Sequence, residues 1–516
     1  MDFVLPPEHS HAFGDPAFAI LPDKQKSFAG QHTISVWGKR GLCAFTGDNT
    51  NYVLNKSGKP FSAVRQSDGS ARVTITLIAK KTVLPENAEL SLGLMSIPGK
   101  APREDWRKIH GEGWWLYPGQ NLAIRGWSHE SKIIGFKRTY LLPEPWDPSS
   151  IRKEIEKDAK RGIVCIPYCC NNNIPSNNPI QYYFGPSWAT RKNNVINASL
   201  PAKDFDGADY HFLYPVSPNH PEFRDYLAYY TAKLMDELGY YGMYLDGGGV
   251  GETSIPYNLK TVKNVLSKDR PILLTNIWGL RDGYKRLWKV IHSRKANGYI
   301  YAHSWRNFHP AAICFVDLVN PGEEFMHSFP RNSHVYINDP KLSTPALWRY
   351  AYNSDANGVG MQFLPLVYWR PEIKSFFKKG LKNTIAERRK LCESMIMMCL
   401  LHDVPMSGSG YPGIEGLWPV LDRVNIADAE FRYFNEQQDV KTDNPDIKVS
   451  YYDWPKDSRR MLIVGNFGKT PSRVKITFPD RFSTQAKEPW PEEKDVDLSA
   501  KVEIPAYACR IFLIQK

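Results

Sequence analysis

Hydrophobic and polar positions alternate in short runs over the first part of the chain. Runs such as residues 32–37, 71–78 and 89–95 are apolar or alternating, and Gly, Asn, Asp and Ser separate them. Alternation with a period of two between turn-forming residues is typical of antiparallel strands. We therefore expect an N-terminal β-sandwich, trimmed at its start, over residues 1–128.

From about residue 130 the pattern changes to apolar runs of strand length separated by segments with helical periodicity. The predicted strands cover residues 133–141, 163–168, 242–246, 272–276, 298–303, 314–319, 359–365 and 404–407. The predicted helices cover residues 149–161, 221–238, 279–293 and 383–401. Strands and helices in this alternation favour a central (β/α)8 TIM-type barrel over residues 129–420. No GxGxxG or GxxxxGK[ST] motif follows a predicted strand, so nothing supports a nucleotide-binding fold.

Short strands return after residue 420. They are predicted at residues 447–452, 460–466, 474–478, 502–504 and 508–514. This pattern predicts a C-terminal β-domain over residues 421–516 that supports the barrel. The expected fold class is thus multidomain α/β and β, with a TIM-type barrel between two β-rich domains.

The clearest chemical signal is the stretch Gly239-Tyr-Tyr-Gly-Met-Tyr-Leu-Asp246 with the three glycines that follow. Its apolar and aromatic residues predict a buried strand, which tolerates a charge only at its end. In a parallel barrel, an acid at the carboxyl end of a strand points into the active site. Glycines after it leave open space beside the carboxylate. We interpret Asp246 as catalytic; the alternative is a carboxylate that caps the next helix or closes a turn.

Hydrolysis of a glycosidic bond requires a second carboxylic acid. The best candidate is Glu323 in Asn320-Pro-Gly-Glu323-Glu324, directly after a predicted strand. Adjacent glutamates point in different directions, so we expect one of them in the site, with Glu324 as the second choice. Asp317, within the same predicted strand, is a further alternative acid.

Polar and aromatic residues lie at other predicted strand ends, as a sugar site requires. Those expected to bind substrate are His303, Trp305, Arg306, Trp278, Lys137, Arg138, Tyr140, Gln362 and Trp369. Each is weak evidence alone, because a single strand-end histidine usually has a structural role. Together they place such groups at one rim of the barrel.

The net charge of +12 narrows the expected partners. It favours an anionic partner, and an oligosaccharide with sulfate or carboxylate groups fits it. The basic residues are spread along the chain without a nucleic-acid-binding motif, so we expect no nucleic acid. No apolar run reaches membrane-spanning length, so we expect no membrane association.

Cofactor and metal signals are weak. The eight cysteines form no metal-spacing cluster, so we expect buried thiols, no metal and no cofactor. The sequence does not predict an oligomeric state. We expect a periplasmic or secreted bacterial protein whose signal peptide is absent from this sequence, with a cytoplasmic location as the alternative.

The domain order and four short motifs resemble bacterial glycoside hydrolases of the family 123-like group and their relatives in family 129. The motifs are Pro218-Asn-His-Pro-Glu-Phe-Arg224 before a helix, the stretch ending in Asp246, Ala302-His303-Ser304 and Gly322-Glu323-Glu324-Phe325. Family 123 proper uses an adjacent Asp-Glu pair and the acetamido group of its substrate, whereas Gly247 follows Asp246 here. The resemblance is therefore better to members with a separate Asp nucleophile and Glu acid/base.

Such members imply a retaining exo-glycosidase acting on an α-linked, galactose-type sugar. The candidates for that sugar are galactose, 3,6-anhydrogalactose and N-acetylgalactosamine. Relatives of this kind occur in the degradation of sulfated red-algal galactans such as carrageenan, which the basic charge would suit. Asp246 would then be the nucleophile and Glu323 the acid/base.

Two alternatives stay open at this point. An inverting glycosidase would use the same residues as base and acid, with carboxylates about 6.5–9.5 Å apart rather than about 5–5.5 Å. A carbohydrate-binding protein on a hydrolase scaffold would bind glycans without turnover.

Overall fold

The structure is a computed structural model that divides the chain into two compact units. It describes residues 2–5, 11–14, 27–30, 33–37, 41–47, 51–54, 59–112, 118–125, 148–170, 173–175, 183–184, 187–188, 213–247, 276–304, 309–323, 325, 334–338, 343, 347–364, 385–408, 414 and 416–515. The first unit comprises Met1–Pro102, Ala123–Asn320 and Asp355–Val359. The second unit comprises Arg103–Leu122, Pro321–Ser354 and Gly360–Lys516.

The N-terminal part of the first unit is built from antiparallel strands. They are β1 (Asp2–Leu5), β2 (His11–Gly14), β3 (Ser27–Gly30), β4 (Thr33–Trp37), β5 (Gly41–Phe45), β6 (Phe61–Arg65), β7 (Ala71–Ile75) and β8 (Gly93–Ile97). One sheet has the order β1-β7-β6-β3 and the other β2-β4-β5-β8. Apolar side chains from both sheets, including Ile34, Ala44, Phe61 and Val73, form one buried cluster. Hence the predicted β-rich character of this region is present.

The remainder of the first unit alternates strands and helices. Following β9 (Gly111–Glu112) of the second unit, its elements are β10 (Leu122–Arg125), α1 (Pro148–Ala159), β11 (Val164–Cys170), β12 (Asn173–Pro175), β13 (Leu213–Pro215), α2 (Pro221–Leu238), β14 (Gly242–Asp246), α3 (Ile277–His292), β15 (Tyr299–His303), α4 (Pro310–Ile313) and β16 (Leu318–Asn320). One sheet contains them in the order β10-β11-β14-β15-β16, with parallel pairing from β11 through β16. A second, two-stranded sheet pairs β12 with β13.

Two elements of the first unit have the bounds that the sequence predicts. Strand β14 and helix α2 begin and end where the sequence pattern places them. Residues 122–125 differ, because they join the sheet of β11 although their hydrophobic pattern groups them with the preceding β-rich region. The predicted strand 133–141 and residues 272–275 of the predicted strand 272–276 lie outside the described residues, and Asn276 precedes helix α3.

Gly242 is a position where only glycine fits the sheet. Its φ is +150°, and an added Cβ would lie 1.9 Å from the carbonyl oxygen of Tyr299 on β15. We expect Gly242→Ala to lower the free energy of unfolding by about 3 kcal/mol, through backbone strain and steric overlap together. Urea denaturation measures this loss.

Gly283, inside α3, provides the matched control for that substitution. An added Cβ there meets only the Arg224 side chain, at the ordinary contact distance of 3.5 Å. Gly283→Ala should leave the protein as stable or raise its stability by up to about 1 kcal/mol, because alanine favours helix. Equal losses for both variants would contradict this explanation.

The second unit contains the C-terminal β-structure and several helices. Its strands are β9, β17 (Gly360–Met361), β18 (Glu430–Arg432), β19 (Lys441–Thr442), β20 (Ile447–Trp454), β21 (Arg459–Asn466), β22 (Ser472–Val474), β23 (Ile476–Thr477), β24 (Gln485–Glu488), β25 (Lys494–Asp497), β26 (Val502–Ile504) and β27 (Cys509–Gln515). Its described helices are α5 (Val335–Asn338), α7 (Ile385–Leu401) and α8 (Leu417–Arg423), with short 3-10 segments at Trp106–Lys108 and Ile426–Asp428 and a π-helical turn at Leu347–Ala351. Helix α6 (Ser354–Asn357) contains the point in the sequence where the second unit ends, at Ser354, and a segment of the first unit begins, at Asp355.

A six-stranded sheet with the order β18-β20-β21-β27-β24-β25 dominates the C-terminal part. Its apolar side chains, such as Val449, Leu462 and Phe512, lie in one buried cluster. Helix α7 packs against this sheet, since the Ser450 hydroxyl donates to the carbonyl oxygen of Leu401 at 2.7 Å. The predicted C-terminal β-structure is thus present.

Strand-like pairing also links three segments within the second unit. Phe363 forms a parallel bridge with Met406. The amide of Gly408 donates to the carbonyl oxygen of Gly111 at 3.0 Å. These contacts involve two of the predicted barrel strands, but the complete eight-stranded barrel and the three-domain division remain predictions. No described helix combines the length and the apolar composition needed to cross a membrane.

Candidate active site

Asp246 ends strand β14 at the carboxyl edge of the parallel sheet. Four of the five residues of this strand are buried, whereas the Asp246 side chain is 32% exposed. Gly247 follows it with φ of +69°, a left-handed conformation that glycine adopts without steric cost, and the strand ends before it. The strand therefore presents one carboxylate to the space above the sheet edge, as the sequence predicts.

Parallel register aligns two layers of side chains on the same face of the sheet. Tyr168 on β11 pairs with Tyr244 on β14, and Tyr244 pairs with Tyr301 on β15. Side chains two residues apart share a face, so Asp246 and His303 follow Tyr244 and Tyr301 in the next layer. The layer of tyrosines thus forms a floor beneath the carboxylate.

The tyrosine floor is packed and hydrogen-bonded. The rings of Tyr168 and Tyr244 stack with centroids 5.3 Å apart, and those of Tyr244 and Tyr301 meet edge to face at 5.2 Å. Asn320, at the end of β16, donates its side-chain amide to the Tyr301 hydroxyl at 2.8 Å. These contacts restrict Tyr168, the tyrosine of the floor whose hydroxyl contacts Asp246.

Three groups among the described residues contact the carboxylate of Asp246. His303 Nδ1 lies 2.7 Å from Oδ1, and the backbone amide of Gly247 donates to the same oxygen at 2.7 Å. The Tyr168 hydroxyl donates to Oδ2. Within the part of the chain that the structure describes, Oδ1 has two of these partners and Oδ2 has one.

These contacts set the ionisation of Asp246. Burial raises the pKa of Asp246, but the hydrogen bond and charge of His303, the Tyr168 hydroxyl and the Gly247 amide together lower it below its usual value. Because the folded-state pKa is lowered, the ionised carboxylate stabilises the fold above the unfolded pKa. That stabilisation is lost as the pH falls through the folded pKa.

Glu323 lies in the second unit, in a turn shaped by glycine. Gly322 has φ of +118°, and an added Cβ would lie 2.7 Å from the carbonyl oxygen of Leu364. The amide of Leu364 donates to the carbonyl oxygen of Pro321 at 2.7 Å, which fixes the preceding turn. The Glu323 side chain is partly exposed, as a residue that must reach a substrate needs to be. Its role as an acid/base remains a prediction.

Asp317 does not lie within a strand, contrary to the sequence interpretation. Strand β16 begins at Leu318, and the buried Asp317 carboxylate accepts from the Ile300 amide at 2.8 Å and contacts His292 Nε2 at 3.1 Å. It lies at the amino-terminal ends of β15 and β16, at the opposite edge of the sheet from Asp246. An acid there has a structural role, so Asp317 is not the alternative catalytic acid.

Three residues expected to bind substrate are described. His303 contacts Asp246 itself, as above. Trp278 is 37% exposed and packs its ring 4.8 Å from that of Phe45. Gln362 is fully buried and has no surface to offer a substrate; its side-chain nitrogen lies 3.5 Å from the carbonyl oxygen of Trp106.

The other expected site residues lie outside the described part of the chain. They are Glu324, Lys137, Arg138, Tyr140, Trp305, Arg306 and Trp369. Among the described residues, no cluster of three or more His, Cys, Asp or Glu side chains could hold a metal ion.

Tyr168 is the site residue that the sequence interpretation missed. Its position at the end of the predicted strand 163–168 was a usable signal, since that strand precedes the one ending in Asp246. Its role depends on the register between β11 and β14, which the hydrophobic pattern does not define.

Comparisons with known proteins identify solved structures that have a similar fold. No protein-family model matches the sequence, and no curated protein matches it significantly. Many solved structures share the fold, including a maltogenic α-amylase, AmyB, from Thermotoga neapolitana. It has a TM-score of 0.51 and 10% identity, with 80% of this chain and 100% of that chain covered.

Family 36 α-galactosidases share the fold along the full length of this chain. A variant of AgaA from Geobacillus stearothermophilus, in complex with 1-deoxygalactonojirimycin, has a TM-score of 0.50 and 10% identity, with 100% of this chain and 76% of that chain covered. Another AgaA variant, in complex with stachyose, has the same TM-score of 0.50 and 10% identity, with 100% and 74% covered. The chain therefore has, at a coarse level, the fold of multidomain glycoside hydrolases.

Proposed function

We propose that the protein is a retaining exo-acting glycoside hydrolase with Asp246 as its nucleophile. The observation that carries this proposal is the carboxylate of Asp246 at the carboxyl edge of a parallel sheet. His303, Tyr168 and the Gly247 amide hold it, and its pKa is lowered. A nucleophile must be ionised and aimed before substrate arrives, and these contacts supply both conditions. The glycoside hydrolase fold makes a glycosidic bond the best target.

In the proposed reaction, Asp246 attacks the anomeric carbon while Glu323 gives its proton to the leaving oxygen. The glycosidic bond breaks, and a covalent glycosyl ester forms on Asp246. Glu323, now a carboxylate, then takes a proton from water, which attacks the same carbon and releases Asp246. Two displacements at one carbon retain its configuration.

The proposed substrate is a terminal galactose-type residue of an oligosaccharide, with 3,6-anhydrogalactose and N-acetylgalactosamine included. The fold shared with α-galactosidases that were solved with stachyose and with 1-deoxygalactonojirimycin supports a galactose-type sugar. The net charge of +12 supports an anionic chain, such as the sulfated galactan carrageenan. Membership of the family 123-like or family 129 group, a complete (β/α)8 barrel and a periplasmic or secreted location complete the proposal.

Hydrolysis of neutral and sulfated galactan oligosaccharides, with the first product anomer followed by NMR, tests this function. Release of one terminal residue with the anomeric configuration of the substrate is expected. The opposite anomer would instead support the inverting reaction. Tight binding of the glycans without turnover would support a binding protein and overturn the hydrolase.

Glu323→Gln tests the acid/base role of Glu323 by comparing substrates whose leaving groups differ in their need for protonation. Hydrolysis of natural glycosides needs protonation of the leaving oxygen, whereas an activated aryl glycoside needs little. We expect the variant to lose most activity on the oligosaccharide and to keep much more of its first-step rate on the aryl glycoside. An equal loss on both substrates would exclude the acid role.

A further inference from the structure

Helix α3 carries a row of cations with a tryptophan beside it. Arg281, Lys285 and Lys289 are four residues apart and therefore lie along one side of the helix, and Trp288 adjoins them. The Trp288 side chain is 40% exposed. We call these four residues, together with Phe315, the α3 patch.

Contacts behind the α3 patch hold its aromatic and basic groups in place. The Arg281 guanidinium lies 5.0 Å from the centroid of the Phe315 ring, and its Nη1 donates to the carbonyl oxygen of Ala311 at 2.9 Å. The Lys285 ammonium lies 6.0 Å from the same ring centroid. The rings of Trp288 and His292 are 4.8 Å apart. The indole thus has a fixed support on one side and solvent on the other.

Among the described residues, the basic side chains of α3 that face α2 form ion pairs, whereas Lys285 and Lys289 do not. Towards α2, Arg286 pairs with Asp225, and Arg294 just beyond the helix pairs with Asp236. In the described part of the chain, no carboxylate lies within 4.0 Å of the cationic nitrogens of Lys285 or Lys289. Asp282 is the only acid in the helix sequence.

Like charges in this row weaken the helix, although Asp282 three residues before Lys285 offsets part of the effect. Lys285 has like charges at both of its i±4 positions, Arg281 and Lys289, and such pairs destabilise a helix. An isolated surface helix is better served by Glu at these positions. A bound anionic group would relieve the repulsion, and an exposed indole face would stack on the C–H face of a sugar ring.

We propose that the α3 patch is a second carbohydrate-binding site, which holds an anionic polysaccharide chain away from the candidate active site. Sulfate groups of the chain contact Lys285 and Lys289, and a sugar ring stacks on Trp288. The inference rests on the proposed function, because it takes the same substrate class. The patch is remote from Asp246, since the adjacent His292 contacts Asp317 at the amino-terminal ends of the strands. Such a site raises the concentration of chain ends near the enzyme.

Affinity electrophoresis in gels containing carrageenan, an equal mass of neutral galactan, or duplex DNA tests the site. The parent and Asp246→Asn proteins serve as references, so the result does not require turnover. Lys285→Glu combined with Lys289→Glu, and separately Trp288→Ala, should each weaken carrageenan binding by roughly fivefold or more. Lys153→Glu combined with Lys160→Glu, at exposed positions within and just after α1, is the matched charge control, and Tyr229→Ala on α2 is the exposed aromatic control. Both should leave carrageenan binding unchanged.

The outcomes separate a sugar site from a general polyanion surface. Loss of carrageenan binding in both the charge and the Trp288 variants, with weaker retention on neutral galactan and on DNA, supports the proposal. Unchanged binding in Trp288→Ala, or equal retention of the parent by DNA at the same salt concentration, overturns it. Both patch variants should hydrolyse a short oligosaccharide at the parent rate, so failure here leaves the proposed hydrolysis intact.

Discussion

Asp246→Asn should reduce hydrolysis of the preferred galactan oligosaccharide by roughly 10⁴-fold or more, because the glycosyl ester can no longer form. The substitution keeps the size and shape of the side chain, and an amide oxygen can still accept from Tyr168. Initial rates at saturating substrate, measured by product NMR or chromatography, give the effect. The residual rate should show no burst of leaving group.

A small anion provides the control that distinguishes a nucleophile from a positioning carboxylate. With Asp246→Gly and an activated glycoside, azide can enter the space that the carboxylate leaves and attack the same carbon. We expect restored cleavage and a glycosyl azide of the opposite anomeric configuration. If Asp246→Asn retains more than a few per cent of activity with an unchanged fold, the nucleophile assignment is wrong.

The strand that carries Asp246 shows why part of the site was predictable. Gly242–Asp246 combines apolar residues with a terminal acid, and it begins with a glycine whose backbone conformation other residues rarely adopt. Local sequence therefore defines both the strand and the end that carries the carboxylate. Helix α2 is equally clear, because Pro221 begins it and Gly239 ends it in a left-handed conformation. Signals of this kind lie within a few residues and need no tertiary information.

The side-chain partners of Asp246 were harder to predict because they come from other strands. Tyr168 reaches Oδ2 only because β11 and β14 pair in the observed register. His303 reaches Oδ1 only because β15 pairs with β14 in the same alignment. The sequence identified His303 as a site residue, but assigned it to substrate binding and not to contact with Asp246. Asp317 was misjudged for the same reason, since its apolar flanks resemble a strand interior while its carboxylate caps the neighbouring β15 backbone.

Tyr168→Phe should move the acidic limb of the pH–activity profile to higher pH. The hydroxyl of Tyr168 helps to lower the pKa of Asp246, so its removal raises that pKa and protonates the carboxylate earlier as the pH falls. A hydrogen bond to a charged group is worth about 1.5–3 kcal/mol, and partial exposure of Asp246 reduces this, so we expect a shift of up to about one pH unit. The profile of kcat/KM between pH 3 and 7 measures it.

A role in positioning should also be visible in the rate at optimal pH. Without the Tyr168 hydroxyl, Oδ2 is held less firmly, and we expect kcat to fall roughly tenfold to a hundredfold while KM changes little. Tyr301→Phe is the matched control, since Tyr301 belongs to the same floor but its hydroxyl accepts from Asn320. That variant should lose stability without moving the acidic limb. If both variants shift the profile equally, the floor acts on Asp246 only through packing, and Tyr168 does not control its ionisation.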